Sequence, residues 1–262
     1  MITPVYITGW LLGAAAICVC LLSARYKTGT GYAIPAWLVV ASQTGATLTL
    51  LVSTPPVAEA LQTLTGLPHV GRFLCSQFAI VACALAQATL TWWITPEERV
   101  RSRIGATAGL GLLVSVALTV LYASGPEACR FVGYSPAGFD PDHVSWAGNA
   151  RVLAYSLIIS AYLVLTGLML VYNYSYLLSG IWRARPRAAA AFIAEICAGA
   201  LMVTFAVLRV VALLRAYLAG TDAVALTGSA AFGLGASVLF TVSLSIPYVP
   251  VVPRHVFRAR HG

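Results

Sequence analysis

Glu195 and Arg209 are the first residues to ask for chemistry, because each places a charge inside one long apolar run, 188–217. A charge in hydrocarbon is costly, and where one persists it pairs with another group, faces a cavity, or marks a ligand or proton site. Fourteen positions separate the two, which at the helical rise is ~21 Å, so they serve opposite ends of one helix. Arg209 lies ~9 Å from the middle of that run, near Val203. From there it either snorkels outward, or joins Arg72 and Arg215 in lining an outward-facing pocket that pairs with Glu59, Asp222 or an anionic ligand group. Glu195 reads as an ion pair with Arg183 or Arg187, or as a proton site. Gln77 and Gln87, with Gln43, Tyr155, Tyr162 and Asn173, are the neutral polar groups able to line a cavity or to hydrogen-bond between helices. The expected ligand-binding set is therefore Arg209, Arg72, Glu59, Gln77 and Gln87.

Other chemistries lack their residues. His69, His143, His255 and His261 fall in connections or the tail, so no helix supplies the paired imidazoles that hold a buried haem. Lys27 is the only lysine and sits at the end of the first apolar run, where it cannot form a buried retinal Schiff base. There is no H-E-x-x-H zinc motif and no glycine-rich phosphate loop. Six cysteines, at 18, 20, 75, 83, 129 and 197, form no C-x-x-C pair, so neither a metal nor another cofactor is expected. An oxidising exterior would permit a Cys75–Cys129 bridge; two buried apolar thiols are the other reading.

The elements that must position these residues follow from composition. Of 262 residues, 60% are hydrophobic and 9% charged, against about a quarter charged in an ordinary soluble domain. Crossing a bilayer takes about 20 apolar residues in a helix. The chain is accordingly expected to be all-α, a polytopic bundle of seven transmembrane helices spanning about 5–23, 32–53, 72–94, 104–124, 151–182, 188–217 and 223–248. These form a membrane domain over 1–253, followed by a basic cytoplasmic tail, 254–262. Arg25 and Lys27, the Arg99, Arg101 and Arg103 group, the Arg183, Arg185 and Arg187 group, and Arg254, Arg258 and Arg260 then fall on one side. The positive-inside rule places that side in the cytoplasm, with the amino terminus outside the cell membrane and the carboxyl terminus within. Basic clusters beside helix ends suit anionic lipid better than nucleic acid, which is not an expected partner despite the net charge of +8.

Two outer connections stand apart. In 54–70, Pro55 and Pro56 precede Val57, Leu61 and Leu64, a pattern that predicts a short interfacial helix. The other, 125–149, is long and carries aromatic residues, so it caps the bundle or takes part in function. Small residues at four-residue spacing, Gly9 with Gly13, Gly105 with Gly109 and Ser229 with Gly233, predict close helix approach, within the bundle or at the seam of a homo-oligomer.

The segment Pro55-Pro56 followed by Leu61, Leu64-Thr65-Gly66 and Pro68, ahead of a helix ending Trp92-Trp93, resembles a family of uncharacterised actinobacterial seven-helix membrane proteins labelled as transporters. The stretch Leu208-Arg209-Val210 is similar to that family's sixth helix. The likeness covers the membrane region, with its specific motif confined to 55–72. It implies the seven-helix topology and a transport role; the family's further cytoplasmic domain is expected to be absent here.

Three functions compete. A transporter or outward-facing binding protein for a small anionic or amphipathic ligand, embedded in the lipid bilayer, makes use of Arg209 and Arg72 and is favoured over an enzyme. A lipid-modifying enzyme such as an isoprenoid cyclase needs a carboxylic acid facing an apolar chamber, for which Glu59 and Glu195 are the available acids. A sensor or accessory subunit is the third.

Overall fold

A backbone in hydrocarbon has no water to bond, so apolar runs close their hydrogen bonds within themselves as helices. The computed structural model describes residues 2–26, 33–129, 149–181 and 186–219 together with 236 and 239, and every regular element among them is helical. In chain order these are α1 (Ile2–Tyr26), α2 (Ala33–Val52), α3 (Pro55–Thr65), α4 (Val70–Ile94), α5 (Glu97–Ser124), α6 (Ala150–Ile181) and α7 (Pro186–Ala219). One 3-10 turn, Pro126–Cys129, follows α5. Five of the helices, α2 and α4 to α7, are long and apolar enough to cross a membrane, and α1 adds the apolar stretch Trp10–Leu22. An integral membrane protein fits these helices. Apart from residues 236 and 239, the seventh expected span, 223–248, lies outside the described residues, as do the loop 130–148 and the tail 254–262.

Helix α4 is the hub, packing on α2, α3, α5 and α6. Its buried positions are mostly small or polar, among them Ser76, Ala82, Ala86, Gln87, Ala88 and Thr89, and small side chains let neighbouring backbones come close. Opposite Ala82, a Cβ on Gly45 of α2 would lie 3.3 Å from the Ala82 backbone nitrogen, and the Ser42 hydroxyl donates to the Ala82 carbonyl at 2.8 Å. Helix α5 sits at the periphery and turns Leu112, Leu113, Val116 and Val120 outward, as a lipid-facing helix does. The most extensive helix pair is α6 with α7.

The expected small-residue contacts divide. Gly13 of α1 abuts Thr47 of α2, where an added Cβ would lie 2.7 Å from Thr47 Oγ1. Gly105 and Gly109 meet nothing within 4 Å, so among the described residues no helix packs on the face of α5 that carries them. The Gly9 side and Ser229 with Gly233 lie outside the described residues.

A second correction concerns the start of α5. Arg99, Arg101 and Arg103, expected in a connection ahead of a helix beginning near 104, lie exposed on the first turns of α5, which starts at Glu97. Hydropathy does not register a polar helical turn. Glu97 and Glu98 place negative charge at the positive end of the helix dipole, which favours that turn.

Between α2 and α4 the chain turns through α3. Prolines suit its first turn, where the amide has no partner to lose. Gly66 ends it in the left-handed region, φ 67°, its N–H donating to the Gln62 carbonyl at 2.9 Å. His69 then adopts φ 58°, a conformation uncommon outside glycine, and its N–H donates to Gln62 Oε1 at 3.2 Å. The turn is tight enough that a Cβ on Gly71 would lie 2.8 Å from Ala58 Cβ and 2.9 Å from its Cα. Helix α3 is thereby held against the first turn of α4, the turn that carries Arg72.

Candidate functional site

The site is built from the α6–α7 register. Gly167 and Gly199 meet backbone to backbone: a Cβ on the first would lie 2.8 Å from the Gly199 carbonyl oxygen, and one on the second 2.9 Å from that of Gly167. Seven residues further along α6 and seven back along α7, Tyr174 packs on Phe192 with ring centroids 5.4 Å apart. Both contacts fit one antiparallel register, which carried the other way sets Ser160 opposite Ala206 and Leu157 opposite Arg209.

Along α7, Phe192, Glu195, Gly199, Ala206, Arg209 and Leu213 are all buried, and their steps of three, four and seven residues mark one helix face. Glu195 and Arg209 lie on that inward face, whereas Arg215, the third arginine expected at the pocket, is exposed. Arg209 is 8% exposed, buried among the helices. Within its electrostatic reach are Arg72 and Cys75 of α4 and Tyr155 of α6. Arg72 is half-buried, two residues into α4, and its guanidinium donates a hydrogen bond to the Cys75 thiol. Three helices thus converge, α4 and α6 by their first turns and α7 by its later half.

Two guanidiniums brought together inside a low-dielectric bundle repel, and the position of Arg72 at the positive end of α4 adds to that potential. Carboxylate and phosphate oxygens match the guanidinium fork in charge and in geometry, so the arrangement is suited to an anionic group. Tyr155, 1% exposed, brings a phenol to the same group. Ser160, 0% exposed, lies about one turn deeper on the α7-facing side of α6, and its hydroxyl has no hydrogen-bond partner among the described residues.

The remaining expected site residues go elsewhere. Gln87 donates to Thr166 Oγ1 at 2.9 Å, tying α4 to α6. Gln77 bonds Ser115 of α5, accepting from its hydroxyl and donating to its carbonyl. Tyr162 donates to the Ile80 carbonyl at 3.3 Å. Glu59 stands exposed on α3. A Gln87→Leu variant is expected to lose about 0.6 kcal/mol, the usual worth of one hydrogen bond between membrane helices, with ligand retention unchanged. Thermal unfolding beside a ligand-retention assay checks both halves of that expectation.

Glu195 occupies a separate place, 2% exposed and within electrostatic reach of Tyr174. Measured from the middle of α7 it is ~11 Å toward the amino-terminal end, whereas Arg209 is ~10 Å toward the other, with the Gly167–Gly199 contact between them. The side chains of Arg183 and Arg187, its expected partners, lie outside the described residues. Cys75 is a free thiol beside Arg72, and the side chain of Cys129 lies outside the described residues. Among the described residues no three His, Cys, Asp or Glu side chains come together as a metal site would require.

Sequence reasoning placed Arg72 and Arg209 in one set and named Tyr155 as a group able to line a cavity, but it did not single out Ser160. The four-residue spacing of Ser156 and Ser160 is the signal that could have found that face, since it sets two hydroxyls on one side of an otherwise apolar helix. Comparison of the chain with family models, with curated proteins and with solved structures found no match.

Proposed function

We propose that the protein binds a small ligand carrying an anionic group on the outer side of the cell membrane, as a transporter or an outward-facing binding protein. The convergence of Arg72 and Arg209 inside the bundle, with Tyr155 beside them, supports this reading above any other observation. Orientation follows from the arginines. The Arg72 end of α4 is opposite the end from which the chain passes into Arg99, Arg101 and Arg103, so a cytoplasmic basic cluster leaves the site facing outward. The resemblance of 55–72 to the transporter-labelled family points the same way. A graded approach, from half-buried Arg72 to buried Arg209, suits a ligand that enters from that end.

The test is retention. Protein purified in mild detergent is expected to carry a copurifying anion, identified by mass spectrometry of the extracted ligand fraction. Arg209→Leu is expected to insert, fold and lose it. Equal amounts of the same ligand on both proteins remove Arg209 from the site.

A lipid-modifying enzyme is the second reading, favoured by a carboxylic acid, Glu195, buried in the helix bundle within electrostatic reach of Tyr174. An isoprenoid in the ligand fraction that Glu195→Gln leaves unconverted distinguishes it.

A further inference from the structure

We propose that the protein associates as a two-fold dimer through α5, the outward seam of Gly105, Gly109, Leu112, Val116, Thr119 and Ala123 packing on the same seam of a second copy. Copies of one chain share a single orientation in the membrane, so a two-fold axis along the membrane normal sets the two α5 helices parallel and brings like residues together.

Shape is the first argument. The seam residues follow one another at alternating steps of four and three, the spacing that keeps one helix face against another, and every one of them is exposed. Gly111 and Leu118 mark the side of α5 that meets α4 and α6, and at ~100° per residue the seam turns away from it. From Gly105 to Ala123 it runs ~27 Å, nearly the whole of the ~30 Å hydrocarbon layer. Helices in lipid gain nothing from hiding apolar surface and associate where small side chains let their backbones close. A Cβ on Gly105 or Gly109 meets nothing within 4 Å, and the Thr119 hydroxyl donates to the Ser115 carbonyl of its own helix at 2.8 Å, so the seam is a shallow groove with no unmet polar group at Thr119. The outer half of α7 is built differently: its exposed Val207, Leu208, Val211, Leu214 and Leu218 are all bulky, as a plain lipid face is.

Charge is the second argument, and it selects the occupant. The same spacing continued past Gly105 reaches Ser102 and Glu98, with Arg101 at the edge of that face; all three are exposed, and among the described residues neither Glu98 nor Arg101 has an ion pair. One acid and one base at the end of an apolar seam are self-complementary under a two-fold axis, which sets Glu98 of each protomer toward Arg101 of the other. The chain's own seventh expected span, 223–248, is the rival for this face. Residues 220–222 join it to α7 and reach ~11 Å at most, about the distance between neighbouring helices, which keeps its outer end beside α7. Helix α7 packs on α6, from which the seam faces away.

Energy transfer between two separately labelled pools of the full chain, mixed in lipid vesicles and diluted with lipid, measures the association. Wild-type protein is expected to show transfer that fades on dilution. Gly105→Leu and Gly109→Leu are each expected to raise the dissociation constant at least about tenfold. Their unfolding in dilute detergent, where the copies have separated, is expected to match the wild type, since a Cβ at either position meets nothing among the described residues. Val211→Leu, on the exposed outer half of α7, is expected to leave association unchanged. Glu98→Arg is expected to weaken it about threefold, and Glu98→Arg combined with Arg101→Glu to restore it. Gly109→Cys is expected to give a disulfide between chains on mild oxidation in the membrane, above the background set by the exposed Cys18 and Cys197. No transfer at any dilution overturns the dimer. Transfer that survives both leucine variants in folded protein overturns the α5 seam, and a charge swap that restores nothing overturns the pairing of Glu98 with Arg101. A Gly109→Cys thiol that oxidises onto a cysteine introduced within 223–248 of its own chain gives the face to that span and overturns the proposal.

Discussion

The Gly199→Leu variant is expected to lose about 3 kcal/mol of stability, the upper part of the range for overpacking a tight interior. At position 199 the nearest obstacle is backbone, which cannot move aside as a flexible side chain can. A Cβ would lie 2.9 Å from the Gly167 carbonyl oxygen, 3.1 Å from Val171 Cγ2 and 3.3 Å from Leu170 Cβ, so the leucine can be admitted only by separating α6 from α7. Among the described residues those helices form the largest contact, and they bring Tyr155 to Arg209. Gly105→Leu and Gly109→Leu supply the comparison, because a Cβ at either meets nothing within 4 Å; both are expected to stay within about 0.5 kcal/mol of wild type. Thermal unfolding in detergent, followed by circular dichroism, measures the three variants together. A Gly199→Leu protein as stable as the two controls would contradict the close crossing.

Arg72 and Arg209 are expected to contribute unequally to anion binding and to differ in their response to salt. Truncating a charge buried in a binding site costs about 2 kcal/mol or more, roughly thirtyfold in affinity, and Arg209→Leu is expected to show at least that at every ionic strength. Arg72 is half-buried and closer to water, where mobile ions screen charge over about 8 Å at physiological ionic strength. Arg72→Gln is therefore expected to matter at low salt and progressively less as salt rises. Arg209→Lys retains charge but loses the planar fork, so it is expected to fall between Leu and wild type. Affinities of the copurifying anion across a salt series decide the matter: parallel salt responses for the two arginines would show them to be equally exposed, against the burial of Arg209.

The long apolar runs were legible because hydrocarbon leaves a backbone no alternative to the helix, and the short helix after Pro55 and Pro56 was legible because proline and Gly66 punctuate it at both ends. The start of α5 was not, since charged residues at a helix end look the same as a charged connection until the carboxylates of Glu97 and Glu98 are seen to sit on its first turn. Gln77 and Gln87 carried no sign of which role they play. An amide facing a cavity and one bonding Thr166 or Ser115 have the same sequence, and only the partner helix distinguishes them. Gly105 and Gly109 match the spacing of a contact as well as Gly13 does, yet among the described residues a neighbouring helix stands against Gly13 and none against the other two.

From its residues alone, this chain determined that it is helical and built for a membrane, and that an arginine and a glutamate sit at opposite levels of one helix. Hydropathy and helical rise are local properties, and a single strand of sequence carries them. Which side of that helix is inward, and what the arginine meets there, was decided by tertiary structure. Gly167 and Gly199 let α6 and α7 close at one register, and that register, with the turn at His69 that delivers Arg72, brings together groups that are far apart along the chain.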